Sequence, residues 1–416
     1  MIVRARILVP IASPPILNGA VRIEGETVTA LGPAADLLPA PGEEVVDLDQ
    51  HLLLPGLINA HCHLDYSMLR FAISPQRSFT QWIQRINALK RCLDTEDYLA
   101  AIHKGFRELQ HWGTTTVCNI ESFPELLPRI APPPVRTWWF YEMIDVRHRT
   151  ATEEVVSGAL TFFDQNPALL GGWGLSPHAP YTASRTLYEL SNACSARHNM
   201  PLTTHLAESR EEFCMFRDAE GPLYEFLNHL QRPMSDCGHG QTPFATLWNS
   251  GCIDQRWILA HMNELTEGDL QLLAEAPRER LPHVVHCPGS HHYFGHAPFQ
   301  FRALQALGVN LCTGTDSLAS TDTLNLFQEL RRLGESEPGL SPLTLLETAT
   351  VNPARALGMA GKLGQISPGA LADLIALPCP PNLPADSAHQ AILQCRTPVV
   401  WTLLHGKVTL NQTAYA

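Results

Sequence analysis

The sequence predicts an α/β fold, a (β/α)8 barrel of the TIM type with a small flanking β-sandwich that both ends of the chain build. Through the middle of the chain, short apolar strands alternate with amphipathic helices eight times. Segments with the alternating pattern of half-buried strands stand near both termini. Repeated strand–helix units form parallel sheets, and eight such units are enough to close a barrel. We therefore expect a β-sandwich domain from residues 1–54 plus 364–416 and a barrel domain from residues 55–363.

The terminal segments read as short strands joined by turns. The opening MIVRARIL indicates a strand followed by a turn, and VRIEGETVTALG has the alternation of a hairpin with Gly25 and Glu26 near its tip. At the other end, ADLIALP and VVWTLLHGKVTL show similar patterns. These two groups are expected to pair with each other beside the barrel.

The barrel strands are short apolar runs that end in loops. The eight candidates, in order, are LPGLINAHCHL, TTTVCNIES, VRTWWFYEMI, GGWGLSPHAP, LTTHLAE, RWILAHM, HVVHCPG and VNLCTGTDS. Amphipathic helices are predicted between them, for example over residues 97–113 and 184–199. In a barrel of this kind, chemistry is located where the strands end on the carboxyl face.

Composition excludes several functional classes. The chain has 416 residues, is 45% hydrophobic and carries a formal net charge of −12. An acidic chain without a basic run is a poor candidate for nucleic-acid or membrane-surface binding. The apolar start is interrupted by Pro10, Pro14 and Pro15, no run of 18 apolar residues occurs, and the 11 cysteines are scattered. We expect a cytoplasmic enzyme with buried free thiols.

Metal-binding side chains stand at the ends of most of the predicted barrel strands. They are His61 and His63 on the first strand, His178 after the fourth, His205 and Glu208 on the fifth, His261 on the sixth, His286 on the seventh and Asp316 on the eighth. Neutral imidazoles together with a carboxylate form a plausible Zn²⁺ site, and the same ligands would accept Fe²⁺ or Mn²⁺. We predict one divalent transition metal, with Zn²⁺ as the first choice.

Glu208 follows His205 by three residues. One turn of helix after the strand would bring its carboxylate near the metal, where it could transfer a proton. The alternative is a solvated helix start, since acidic residues are favoured near helix N-termini. The sequence leaves both interpretations open.

Several motifs resemble those of the amidohydrolase superfamily. The matching stretches are LPGLINAHCHLD, TTHLAESREE, ILAHMNEL, HCPGS and GTDSLAS. The most similar branch includes cytosine, guanine, S-adenosylhomocysteine and aminofutalosine deaminases and the triazine chlorohydrolases. The resemblance extends through nearly the whole chain, including an ending with ADLIAL and GKV that closes the β-sandwich in the family.

This resemblance implies a role for each candidate residue. It implies His61, His63, His205 and Asp316 as ligands of a single metal, because no lysine stands at the end of the fourth strand, where binuclear members carry a carboxylated one. It implies that Glu208 protonates a substrate ring nitrogen, that Asp316 accepts a proton from the metal-bound water, that His261 hydrogen-bonds the attacking hydroxide and that His178 contacts the substrate.

The implied reaction is hydrolytic deamination of an aminated heterocycle of the purine, pterin or modified-nucleoside type. A metal-bound hydroxide attacks the ring carbon and ammonia leaves. The expected partners are the small heterocyclic substrate and water, with assembly as a homo-oligomer, by default a dimer. Two alternatives are kept: hydrolytic dechlorination or ring C–N opening at the same mononuclear site, and a metal-free scaffold protein on the same fold.

Two stretches depart from the family pattern. In SFTQWIQRI, Gln81 stands where nucleoside-deaminating relatives have a glutamate that binds ribose hydroxyls. Because a neutral amide bonds hydroxyls more weakly than a carboxylate, Gln81 as a substrate-binding residue disfavours adenosine-type substrates. In HCPGSHHYFGHAPF, Tyr293 and Phe294 could stack on a planar substrate or pack the loop, and His286 is expected to make a structural hydrogen bond. The segment 217–245 is expected at the rim or at a subunit contact.

Overall fold

The computed structural model describes residues 1–130, 132–146, 151–166 and 170–413. They form two β-sheets with helices packed around the second sheet. The helices are α1 (Phe79–Lys90), α2 (Thr95–His111), α3 (Thr152–Gln165), α4 (Arg185–His198), α5 (Arg210–Asp218), α6 (Pro222–His229), α7 (Pro243–Asn249), α8 (Glu267–Glu275), α9 (Pro288–Phe294), α10 (Phe301–Ala306), α11 (Leu326–Ser336), α12 (Pro342–Glu347), α13 (Val351–Ala356) and α14 (Ala388–Gln394). The helices predicted over 97–113 and 184–199 are confirmed as α2 and α4.

Strands from both ends of the chain join one sheet. They are β1 (Ile2–Leu8), β2 (Ile16–Glu24), β3 (Thr27–Pro33), β4 (Val45–Asp47), β5 (His51–Pro55), β15 (Leu374–Pro378), β16 (Trp401–Leu404) and β17 (Lys407–Asn411). The order is β17-β16-β15-β5-β1-β2-β3, with β4 beside β1. The antiparallel pair β5–β15 connects the two chain ends, and the predicted hairpin is β2–β3. The two-layer form of a sandwich and the domain boundaries at 54/55 and 363/364 stay predictions.

This terminal sheet has an apolar core of its own. Alternate residues of its strands, such as Val3, Val21, Leu374 and Leu403, are buried together on one face. The opposite face presents Leu52, Leu54 and Ile375 to the core that the barrel helices share. The period of two in the side-chain direction therefore lets β5 and β15 contribute to two cores at once.

All eight predicted barrel strands are present, and the last one is interrupted. They are β6 (Leu57–His63), β7 (Thr114–Glu121), β8 (Arg136–Met143), β9 (Gly171–Pro177), β10 (Leu202–Leu206), β11 (Trp257–His261), β12 (His283–His286), β13 (Asn310–Thr313) and β14 (Asp316–Ser317). All neighbouring pairs are parallel.

The eighth strand brings the two edges of the barrel together. Its first part, β13, pairs with β12, and its second part, β14, pairs with β6. Between them, Gly314 N donates to His286 O at 3.0 Å and Thr315 N donates to His61 O at 3.1 Å. These bonds connect the seventh strand to the first through two consecutive residues, so the sheet curls into the predicted barrel architecture.

The interior of the barrel is apolar. Ile58, Cys118, Phe140 and Val285 belong to one buried cluster, although they come from four different strands. Trp138 packs in the same cluster. All eleven cysteines are free, and in the described ranges no helix is both long enough and apolar enough to span a bilayer.

Candidate active site

The structure brings the four predicted metal ligands to one place at the carboxyl ends of the barrel strands. His63 Nε2 lies 3.2 Å from His205 Nε2. Asp316 Oδ1 lies 3.8 Å from His61 Nε2 and 3.9 Å from His63 Nε2. Within the described part of the chain, His61, His63 and Asp316 form one candidate metal-binding group, and His61, His205 and His261 form an overlapping one. Side chains from β6, β10, β11 and β14 therefore converge on one point.

Several buried nitrogens of this cluster lack partners. Both ring nitrogens of His61, Nδ1 of His63 and Nε2 of His261 are buried and make no hydrogen bond with any described residue. An unpaired buried polar atom costs free energy, so His61 Nε2 and His261 Nε2, which lie 3.8 Å from the carboxylates of Asp316 and Glu208, call for a ligand. The donor set of imidazoles and one carboxylate fits a divalent transition metal such as Zn²⁺.

Burial keeps the imidazoles of His61, His63 and His261 neutral, as metal coordination requires. It lowers the pKa of His63 to about 4, helped by the neighbouring His205, and holds the pKa of His61 and His261 well below the usual range. Burial works against ionisation of Asp316, yet the facing rings of His261 and His63 and a hydrogen bond from Ser290 lower its pKa. These three rings thus offer neutral nitrogens beside the carboxylate of Asp316.

Hydrogen bonds from neighbouring residues orient the predicted metal ligands. His205 Nδ1 is 2.8 Å from the carbonyl oxygen of His178, which fixes the ring so that Nε2 points into the cluster. Ser290 Oγ and Ser320 Oγ donate to Asp316 Oδ2 at 2.6 and 3.0 Å, leaving Oδ1 toward the imidazoles. Asp316 also has φ +61°, a left-handed conformation that a non-glycine residue adopts at a cost of about 1–3 kcal/mol.

Glu208 faces the same point from the end of β10. Its Oε1 lies 3.8 Å from His261 Nε2, and Glu208, His261 and Asp316 form a further group whose polar atoms lie within 4.8 Å. The side chain is buried, and burial together with the charges of Asp316 and Glu212 raises its pKa well above the usual range. The solvated-helix interpretation is wrong, since Ser209 caps α5 and Glu208 precedes it. A buried acid that holds its proton is suited to proton donation.

A cavity of about 450 Å³ opens beside this cluster. On its outer side, α1 contributes Trp82, Ile83, Ile86, Asn87 and Lys90 to the lining. Helix α6, within the segment 217–245, contributes Leu223, Phe226 and Leu227. The volume and the mixture of apolar walls with a few polar groups are typical of small-molecule sites.

Of the two remaining predicted site residues, one lines the cavity and the other does not. His178 lines the cavity as predicted. Gln81 does not: it is exposed on α1 and absent from the lining, because the cavity-facing side of α1 carries Trp82, Ile86 and Lys90 at intervals of four residues. The position of Gln81 outside the cavity therefore does not support the expectation that it binds substrate.

In the loop after β12, the structure corrects the expectation for His286 and decides between the two roles left open for Tyr293 and Phe294. His286 makes no structural hydrogen bond through Nδ1 to any described residue, and its ring stacks on Phe299 at 4.1 Å instead. Phe294 packs edge-on against Phe79 and Trp82, and Tyr293 OH donates to Ile73 O at 2.8 Å. These two aromatic rings therefore pack the loop and do not line the cavity.

Two charged cavity residues were not predicted from the sequence. Glu142 is the last residue but one of β8, Lys90 ends α1, and both line the cavity. The signal for Glu142 was available, because it stands at the carboxyl end of the third barrel strand, where the same reasoning had singled out His61 and Asp316. Lys90 lacked such a signal, since the sequence does not show which face of α1 meets the barrel.

Comparison with known proteins identifies the family. The model of the amidohydrolase family matches residues 52–409. The chain belongs to the amidohydrolase family. Its amidohydrolase relatives include a 5-methylthioadenosine/S-adenosylhomocysteine deaminase of Pyrococcus furiosus, 30% identical over 85% of this chain and 82% of the relative. An aminodeoxyfutalosine deaminase of Deinococcus radiodurans is 31% identical over 82% of this chain and 81% of its own.

A solved structure is also similar to this chain. It is an adenosine deaminase from Xanthomonas campestris with bound zinc, with a TM-score of 0.83 and 25% identity, covering 99% of this chain and 93% of that one. Family membership and the deaminase relatives confirm the prediction of a hydrolytic enzyme that acts on carbon–nitrogen bonds.

Proposed function

We propose that this amidohydrolase is a metal-dependent deaminase of an aminated heterocycle of the adenosine type and releases ammonia. The observation that carries the proposal is the meeting of buried Glu208, His261 and Asp316 within 4.8 Å of one another, beside the histidine cluster and open to the cavity. The deaminases of 5-methylthioadenosine/S-adenosylhomocysteine and of aminodeoxyfutalosine among its relatives support the substrate class.

Each residue has a distinct task in this proposal. His61, His63, His205 and Asp316 would hold one divalent ion, with Zn²⁺ as the first choice. When bound, such an ion lowers the pKa of a coordinated water to about 7 and supplies the nucleophile. His261 Nε2 would orient the attacking water, Asp316 would accept a proton from it, and Glu208 would deliver a proton to the ring nitrogen next to the carbon under attack.

The test is an ammonia-release assay with a panel that includes adenosine, 5′-deoxyadenosine, guanine, cytosine and a chlorinated triazine. We expect ammonia from at least one adenosine-type nucleoside and no chloride from the triazine. Release of chloride, or ring opening without ammonia, would replace deamination by the corresponding alternative. Absence of any hydrolysis by metal-loaded protein would reject the proposal.

Cytoplasmic location and assembly as a homodimer remain part of the proposal as predictions. Sedimentation of the purified protein measures the second one directly.

A further inference from the structure

One carboxylate in the cavity is not used by the proposed chemistry. Glu142 Oε2 accepts a hydrogen bond from Ser122 Oγ at 2.6 Å, and in the described part of the chain no group donates to its Oε1. Burial raises the pKa of Glu142, while the charge of Lys90 and the hydrogen bond from Ser122 act in the opposite direction. Glu142 therefore presents an acceptor to the cavity that the described residues only half satisfy.

His178 lies opposite this acceptor. Glu142, His178 and His205 each offer an atom within 4.8 Å of the others, yet no hydrogen bond joins Glu142 to His178 among the described residues. Two hydrogen bonds of about 2.8 Å that meet at one oxygen span about 4.6 Å. The gap between the two side chains thus has the size of a single bridging oxygen.

A hydroxyl group satisfies both partners. His178 Nδ1 lies 2.6 Å from Thr182 Oγ1, and when that hydroxyl donates to Nδ1, the proton of the neutral ring is on Nε2, which then donates. A hydroxyl donates one hydrogen bond and accepts others, so it can donate to Glu142 and accept from His178 Nε2. An aromatic amine is a poorer partner for these two side chains, because it donates hydrogen bonds but does not accept them.

The surrounding charge supports a neutral ligand at this point. Lys90 Nζ donates to Tyr66 OH at 2.5 Å and lies 4.7 Å from the centre of that ring. Its charge is among those that favour ionised Glu142. A hydroxyl adds no charge to this balance, whereas a substrate carboxylate would face Glu142 directly.

We propose that Glu142 recognises a sugar hydroxyl of the substrate, with His178 as the second partner of that hydroxyl. This inference rests on the proposed function and narrows it, because it selects nucleosides over free heterocyclic bases. It also assigns hydroxyl recognition to the end of β8, whereas Gln81 lies outside the cavity.

The test compares ligands that differ only in these hydroxyls. We would measure kcat/KM for adenosine and 2′,3′-dideoxyadenosine, and Kd by calorimetry for the products inosine and 2′,3′-dideoxyinosine, which are not consumed. The proteins are the wild type, Glu142→Gln, Glu142→Asp and the control Glu125→Gln, whose side chain is exposed and outside the cavity. The wild type and the control should prefer the hydroxylated ligand by about 10-fold to 100-fold.

Glu142→Gln should lose that preference almost completely, and Glu142→Asp should keep part of it. A purely structural role would weaken both ligands equally and leave the ratio unchanged, which would overturn the inference. A wild type that binds inosine no better than dideoxyinosine, or that binds neither, would also overturn it. Retained inosine preference without ammonia release from any substrate would reject the proposed function and leave the role of Glu142 standing.

Discussion

At the scale of single residues, Glu208 has a proposed role in proton transfer and none in metal binding. Glu208→Gln keeps the volume of the side chain and removes the transferable proton. We expect bound metal to remain near the wild-type level and kcat to fall by about 10²-fold to 10⁴-fold, the usual contribution of a general acid–base group. Metal analysis and steady-state kinetics measure the two effects separately.

The matched control for Glu208→Gln is Glu220→Gln. Glu220 is exposed in the same part of the chain and does not line the cavity, so its loss should leave kcat unchanged. Full activity of Glu208→Gln would remove Glu208 from the mechanism.

Substitution of Ser290 tests whether hydrogen bonds to the carboxylate of Asp316 support metal binding. Its hydroxyl is buried and donates to Asp316 Oδ2, so Ser290→Ala should loosen the carboxylate without touching a ligand. We expect metal affinity to fall about 10-fold to 100-fold in competition with a chelator. Ser157→Ala on α3, where the hydroxyl is exposed and bonds only Glu154 O, is the control and should bind metal normally. Equal affinities for both variants would contradict this role of Ser290.

Sequence reasoning succeeded for residues whose direction a strand determines. His61 and His63 share a face because side chains alternate along β6, and strand ends meet on one rim of a barrel. It failed for Gln81, because the rotation of a surface helix about its axis depends on packing partners that are distant in the chain. Glu142 was passed over, although its position at a strand end carried the same information as that of Asp316.

At the scale of elements, the interrupted eighth strand holds the site together. A Cβ added at Gly314 would lie 2.8 Å from His61 Cβ and 2.9 Å from His61 N and O. Gly314→Ala should therefore push β13 and β6 apart and displace His61. We expect a loss of about 1–3 kcal/mol in the free energy of unfolding, together with weaker metal binding. Denaturant unfolding and metal analysis measure both effects.

The control for Gly314→Ala is Gly158→Ala on α3. Nothing lies within 4 Å of a Cβ added there, so this substitution should stabilise the protein slightly and leave metal content unchanged. If Gly314→Ala kept the stability and the metal content of Gly158→Ala, the close contact between the eighth strand and His61 would not be needed for metal binding.

The sequence predicted the elements that consist of a repeated short apolar run. It did not predict features that depend on contacts with other parts of the chain. All eight barrel strands and the β2–β3 hairpin follow from local patterns. The break of the eighth strand at Gly314 and Thr315 does not, because it depends on hydrogen bonds to β12 and β6. The sequence did not show that α6 is a cavity wall, because its apolar residues Leu223 and Leu227 also pack in one cluster with Met215 and Phe216 of α5.

At the scale of the whole molecule, one cluster connects distant parts of the chain. His61 and Asp316 are far apart in sequence, and their side chains meet only because the barrel brings its first and eighth strands together. A bound ion would therefore stabilise the closed barrel by mass action, by about 4 kcal/mol at a free concentration of 1,000 times Kd. Chelation should lower the melting temperature and abolish turnover, and added Zn²⁺ should restore both.

The most direct test of a single metal held by His61, His63, His205 and Asp316 is anomalous diffraction from crystals of protein purified without chelator. The account predicts one strong peak, about 2.0–2.2 Å from an imidazole nitrogen of each histidine and from an oxygen of Asp316. A map with no peak at that point, or a metal bound by other residues, would contradict it.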